Sequence, residues 1–191
     1  MERSDRGDSP GGAIPHLQVE PGGERDEPSR DSGGRPIGTL IEGVACERLT
    51  PHVDHRGSLV EAINFDHPFW QEPVVYAYRI TVARGRIKGW GMHKIQADRY
   101  FHTDGDVRVV LYDGRVNSPT QGRFNQFWFA DASTGLLRIP PGVWHADQNF
   151  GDTEAALMNF PTEPFRHQDP DKYRIDPHGG EIAFDWTLAD S

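Results

Sequence analysis

Cysteine is almost missing from this chain. Cys46 is the only one, so no internal disulfide can form, and a reducing, cytoplasmic setting is expected. No apolar run approaches the ~20 residues that span a bilayer, so no membrane partner is expected. Basic charge is short as well: 20 Lys and Arg stand against 29 Asp and Glu, a net charge of −9. Such a surface repels a phosphate backbone and excludes nucleic acid as the expected partner. A small anionic ligand stays open, because a few local arginines suffice for it. The first residues lack the apolar segment of a secretory leader. Sustained helical periodicity and solenoid-length repeats are also missing, which argues against a helical bundle or a repeat array.

What is there reads as β-structure. The 191 residues give room for one domain with a real core. Residues 1–36 are Gly, Pro, Ser, Asp, Glu and Arg with hardly any large apolar side chain. They cannot bury enough surface to offset ordering, so a disordered tail is predicted. From residue 37 short apolar runs recur at 40–49, 58–64, 74–82, 100–112, 123–130, 136–139 and 155–160. Turn-forming clusters separate them at 54–57, 112–115, 117–122 and 150–153. Short β-compatible runs so closely spaced predict an all-β sandwich or barrel over residues 37–191. Helical turns are expected only near Phe69 and over 169–174. The Pro-rich stretch 160–186 predicts an ordered strap anchored by Phe160, Phe165, Tyr173, Phe184 and Trp186. The tryptophans, at 70, 90, 128, 144 and 186, read as packing groups rather than a ligand platform.

Two stretches carry candidate chemistry. Over 135–149 a buried strand meets a tight turn and a second strand that opens with His145. Pro140 and Pro141 fix φ and remove two donors, and Gly142 permits the turn. Over 89–105, Gly89 and Gly91 let backbone approach closely before His93. Asp98, Tyr100 and His102 then share one strand face, and Arg99 and Phe101 the other. An acid, a phenol and an imidazole on one face suit a polar cavity or a solvated face equally. Arg56 and Glu61, taken alone, read as ordinary surface charges.

The motifs, in order, resemble the dTDP-4-dehydrorhamnose 3,5-epimerase family, cupins of jelly-roll, antiparallel β-barrel fold. The likeness rests on Asp54-His55-Arg56-Gly57 with Glu61, then Gly91-Met92-His93. It continues through Asp113-Gly114-Arg115 with Ser118-Pro119-Thr120, and Ile139-Pro140-Pro141-Gly142 with His145. It closes on Asp176-Pro177 and Ile182 to Trp186. The resemblance implies an isomerase that takes a proton from beside the C4 ketone of a 4-keto-6-deoxy sugar nucleotide and returns it from the opposite face, at C3, C5 or both. It implies His93 as the base and Asp176 as the carboxylate that orients it. It places Arg56 and Glu61 on the nucleotide across a homodimer interface, and His145 in the active site. It implies no cofactor and no metal, and a place in cytoplasmic nucleotide-sugar metabolism for polysaccharides.

Departures from the family pattern open alternatives. Trp90 stands where the family has a binding arginine. Asp98 stands where it has a lysine that steadies the enolate, and a carboxylate there would repel one. Met158 stands where it has a tyrosine acid. Tyr100 or His102 could substitute from the strand face, and Lys88, Lys94 or Arg99 could supply charge. A metal-dependent cupin enzyme is a second reading, with His93, Asp98 and His145 as ligands and His102 as a fourth. Ile95 sits where the second histidine of the cupin H-x-H pattern belongs, which weighs against it. A non-catalytic sugar-nucleotide binder is a third.

Overall fold

Two antiparallel five-stranded sheets face each other in a computed structural model that describes residues 38–188. The expected tail over 1–36 and the domain's first residue lie outside the described residues. In chain order the strands are β1 (Ala45–Arg48), β2 (His52–Asp54), β3 (Gly57–Leu59), β4 (Tyr78–Val82), β5 (Ile87–Met92) and β6 (Asp98–Asp104). They continue with β7 (Val107–Asp113), β8 (Phe124–Phe129), β9 (Gly135–Ile139), β10 (Val143–Asn149), β11 (Ala155–Asn159) and β12 (Tyr173–Arg174). One sheet runs β1-β9-β6-β11-β4 and the other β12-β5-β10-β7-β8, while β2 and β3 form a separate hairpin. From β4 to β7 and again from β8 to β11 consecutive strands alternate between the two sheets, as the jelly-roll expectation requires, while β7 and β8 pair as a hairpin.

Alternation along the strands builds the core. Val107, Val109 and Leu111 of β7 point inward against Ile80, Phe127, Phe129, Leu137 and Leu157, all buried. Each such side chain contributes about 1.5–3 kcal/mol of burial. Both outer faces are covered too. Phe69 and Trp70, in the 3-10 turn Pro68–Trp70, pack with Leu136 and Phe160 on one. The strap lays Ile182, Phe184 and Trp186 on Trp90 and Val110 of the other. Tryptophans 70, 90 and 186 are therefore packing groups, as read from sequence.

Three local expectations need correction. The run 100–112 is two strands, β6 and β7, because Gly105, at φ +72°, turns the chain between them. Residues 169–174 form no helical turn. The Asp171 carboxylate accepts the backbone N–H groups of Lys94, Ile95 and Gln96, which holds this stretch extended until β12 pairs with β5. Phe165 and Tyr173 are not buried anchors of the strap; they are 42% and 40% exposed.

The turn after β7 is held by one buried acid. Asp113 accepts from Arg115 Nε at 2.8 Å, Ser118 Oγ at 2.6 Å and Thr120 Oγ1 at 2.6 Å. Burial opposes its ionisation, but these donors outweigh it and hold its pKa below the ordinary carboxylate range. Removing the acid strands the donors, so Asp113→Ala is expected to cost about 3 kcal/mol in urea unfolding at pH 7. A depressed folded pKa gives stability above the unfolded carboxylate value near ~3.9 that is lost as pH falls below it. The gap between wild type and variant should therefore narrow at pH 3; a constant gap would show that the carboxylate charge is not the cause.

Candidate active site

A cavity of about 390 Å³ opens between the sheets and is lined by His93, His145, Tyr100, Tyr78, Lys88, Asp147 and Lys172. Its shape follows from local sequence. The Pro140–Gly142 turn bends back so that Gly142 N–H donates to the His93 carbonyl at 2.7 Å. The turn then launches β10, which pairs His145 with Gly91 of β5. The two imidazoles stack with centroids 5.7 Å apart and planes at 16°. A Cβ on Gly91 would lie 2.7 Å from Lys172 Nζ and 3.2 Å from His145 Nε2. The absent side chain is what admits the lysine.

Asp98 sits behind the histidines, fully buried. Its Oδ1 accepts from Gln96 Nε2 and Asn159 Nδ2, each at 2.9 Å. Its Oδ2 makes no hydrogen bond among the described residues, and lies 3.4 Å from His93 Nε2 and 3.5 Å from His145 Nε2. Burial opposes its charge; charge on the two histidines would draw its pKa down, and with both rings neutral the Asn159 amide and the Lys172 ammonium remain to hold the anion. The acid therefore stays ionised.

The state of His93 follows from its partners. Its Nδ1 meets the Asp171 carbonyl, which can only accept, so the ring proton is on Nδ1 and the Nε2 lone pair faces the cavity. Lys172 Nζ donates to that lone pair at 3.1 Å. Burial lowers the imidazole's pKa; Asp98 pulls the other way and Lys172 pushes down again. His93 is thus a neutral base at pH 7. His145 is pushed down more strongly, again by burial first. Lys172 is lowered by burial and partly restored by Asp98 and Asp147.

The structure gathers some expected residues and disperses others. His93, His145, Asp98 and Tyr100 converge on one end of the cavity, and the Tyr100 ring stands edge-on to His145 at 6.2 Å. Asp176 does not hold His93. It is exposed, and its Oδ1 accepts the N–H of His178 in its own turn, so the Asp171 carbonyl takes the expected partner's place. His102 is buried away from the cavity: its Nε2 donates to the Gly105 carbonyl at 2.7 Å, and its ring stacks on Phe129. Arg56 and Glu61 are exposed and do not line this cavity, and Arg56 pairs with Asp54. Met158 packs with the outer cluster around Trp70, on the far sheet face. Of the spare cations, Lys88 lines the cavity, Arg99 is spent on the carbonyls of Phe160, Glu72 and Pro73, and Lys94 lies over Tyr173. Lys172, Asp171, Asp147, Gln96 and Asn159 were not singled out. Only Asp147 gave a local signal, two residues past His145 on the same face.

His93, Asp98 and His145 present ligand atoms within 4.8 Å of one another. That spacing would admit a divalent cation, but the Lys172 ammonium already stands 3.1 Å from His93 Nε2. A fixed positive charge meets what Asp98 needs and repels a second cation, so the residues as arranged do not fit a metal.

No protein-family model matches the chain. A probable low-salt glycan biosynthesis epimerase of Haloferax volcanii is 32% identical over 149 residues, covering 77% of this chain and 95% of that protein. The spore coat polysaccharide biosynthesis protein SpsL of Bacillus subtilis is 31% identical over 148 residues, covering 78% and 97%. Among solved structures, a dTDP sugar isomerase of Desulfovibrio desulfuricans is 31% identical with a TM-score of 0.72, covering 80% of this chain and 98% of its own. With likeness of that extent in both sequence and fold, the chain belongs to the dTDP-4-dehydrorhamnose 3,5-epimerase family.

Proposed function

We propose that the protein epimerises a 4-keto-6-deoxy sugar nucleotide at C3, C5 or both, with His93 Nε2 as the base. The observation that carries this reading is the Nδ1 bond of His93 to the Asp171 carbonyl, which leaves a neutral Nε2 lone pair facing the cavity. A C–H beside a ketone loses its proton when the carbanion spreads onto the ketone oxygen. That step needs a base near neutral pKa and a cation at the oxygen. The C–H electron pair becomes the C=C of an enolate, and the C4 oxygen takes the charge. Lys172 is the cation within reach: its Nζ rests on Nε2 without substrate and has a better acceptor in an enolate oxygen. It supplies from the strap the charge that Asp98 cannot supply from β6. The names of the relatives, a glycan epimerase and a dTDP sugar isomerase, support the substrate class.

A homodimer belongs to the same proposal. Arg56 sits at the tip of the β2–β3 hairpin, beside Val53 and Leu59, which are 75% and 60% exposed. An exposed apolar hairpin tipped with a guanidinium suits a nucleotide held against a second copy. Arg56→Ala is then expected to raise KM for the nucleotide sugar with kcat nearly unchanged; equal loss in kcat would remove Arg56 from a binding role.

In D2O with dTDP-4-keto-6-deoxyglucose, the wild type should wash solvent deuterium into C3 or C5. His93→Asn should abolish the exchange, and Lys172→Met should slow it by roughly 10²–10³-fold with smaller change in binding. Exchange that survives His93→Asn would sink the base assignment, and tight binding without any exchange would favour a binder. Because the folded pKa of His93 is lowered, the rate of solvent-deuterium exchange should stay flat through neutral pH. It should fall only as pH drops below the ordinary histidine value near ~6.5. For the metal-dependent alternative, purified protein should carry substoichiometric Fe, Mn, Ni and Zn and keep its activity after chelation; loss restored by one of these metals would favour it.

A further inference from the structure

Epimerisation needs a second proton-transfer group, since a single base that removes and returns the proton on one face only restores the starting sugar. We infer that Asp147 is that group, donating from its carboxyl to the carbon that His93 deprotonates. The inference rests on the epimerase reading above.

Three observations place it there. Asp147 lines the same cavity as His93 and Lys172. It is 3% exposed, and its Oδ1 is buried with no hydrogen-bond partner among the described residues. Buried carboxylates that stay charged are held by donors, as Asp113 and Asp98 are, and Asp147 has none among the described residues. It is also set apart from His145 along β10. It follows His145 by two residues on β10, so it shares the inward face roughly 7 Å further along. Across β5 its register partner is Lys88, whereas His145 faces Gly91. For inversion the reacting carbon would lie between His93 Nε2 and the Asp147 carboxyl, one on each face.

The charged and titratable groups facing Asp147 are Lys172 from the strap, Lys88 from β5, Asp98 and Tyr100 from β6, and Tyr78 from β4. Burial raises its pKa to about 7, against the pull of both lysines and with the help of Asp98. The acid form is therefore present at neutral pH, and so is the form needed for the reverse reaction. Tyr100 shares the cavity, but burial pushes its phenol well above its usual value, which makes it a poor donor at neutral pH.

The proton balance is closed. The C–H bond breaks to His93 Nε2, and the electron pair passes into the enolate. The Asp147 O–H bond then breaks, a C–H bond forms on the opposite face, and the C4 carbonyl is restored. His93 leaves protonated and Asp147 ionised; proton exchange with water resets both.

The test uses the full chain and dTDP-4-keto-6-deoxyglucose in D2O, following wash-in with retention and inversion separately by NMR. Asp147→Asn should lose about 10²-fold or more of inversion while deuterium still enters the starting sugar with retention. His93→Asn should lose both. Inversion at the wild-type rate in Asp147→Asn would overturn the inference, as would equal loss of exchange and inversion in a folded variant. So would the same split appearing in Tyr100→Phe instead. If Asp147→Asn does not fold, the wild-type pH profile decides: inversion should decline as pH rises through about 7 while exchange does not, and parallel profiles would overturn it. No exchange at all in the wild type would instead strike the epimerase reading beneath.

Discussion

One residue of the strap, Asp171, sets up the chemistry of the cavity. Its carboxylate gathers three backbone N–H groups from the loop after β5, and burial fails to raise its pKa because those donors stabilise the anion. With the side chain so anchored, its own carbonyl meets His93 Nδ1 and decides which ring nitrogen keeps the proton. The next residue, Lys172, has no choice of direction. It projects over Gly91 into the cavity and rests on the nitrogen that Asp171 has left free. Two steps further, β12 pairs with β5 and locks the arrangement into the sheet. Tautomer, cation and strap position therefore depend on a single tie between distant parts of the chain.

The fold around this tie separates dry from polar space. Inward residues of β7 and β8 are aliphatic or aromatic and fill one end of the sandwich. At the other end β5, β6 and β10 turn glycine, histidine, aspartate and tyrosine inward, and no side chain fills the gap. Charges there are costly to bury, and the site meets the cost by pairing. Asp98 accepts from two amides, stands beside two imidazoles and feels the Lys172 ammonium, so it can be ionised without solvent. In this chain the acid beside the histidines is on β6 and the lysine comes from the strap.

Much of this was legible in the sequence because it is local. Period-two alternation and turn clusters announced the strands. The Pro-Pro-Gly turn announced the approach to His145, and the ordered motifs announced the family. Asp98 and Tyr100 were readable as one strand face because β6 is regular from Asp98 to Asp104. The same rule misplaced His102, since alternation gives a side and not a depth, and a ring two residues further on reaches the turn at Gly105 instead of the cavity. Asp176 was expected beside His93 from motif order alone, and a shift of five residues brings Asp171 there instead. Lys172 could not be found from sequence. Its position depends on a contact 79 residues away, and nothing in the spacing of the strap encodes where it re-enters the sheet.

The claim most open to direct measurement is the protonation of His93. Nitrogen-15 NMR of the imidazoles in the substrate-free protein, with His93 assigned by substitution, reads the tautomer and the titration together. The account predicts a neutral ring at pH 7 with its proton on Nδ1 and a pKa below the ordinary histidine value. A ring protonated on Nε2, or one still doubly protonated at pH 7, would contradict it.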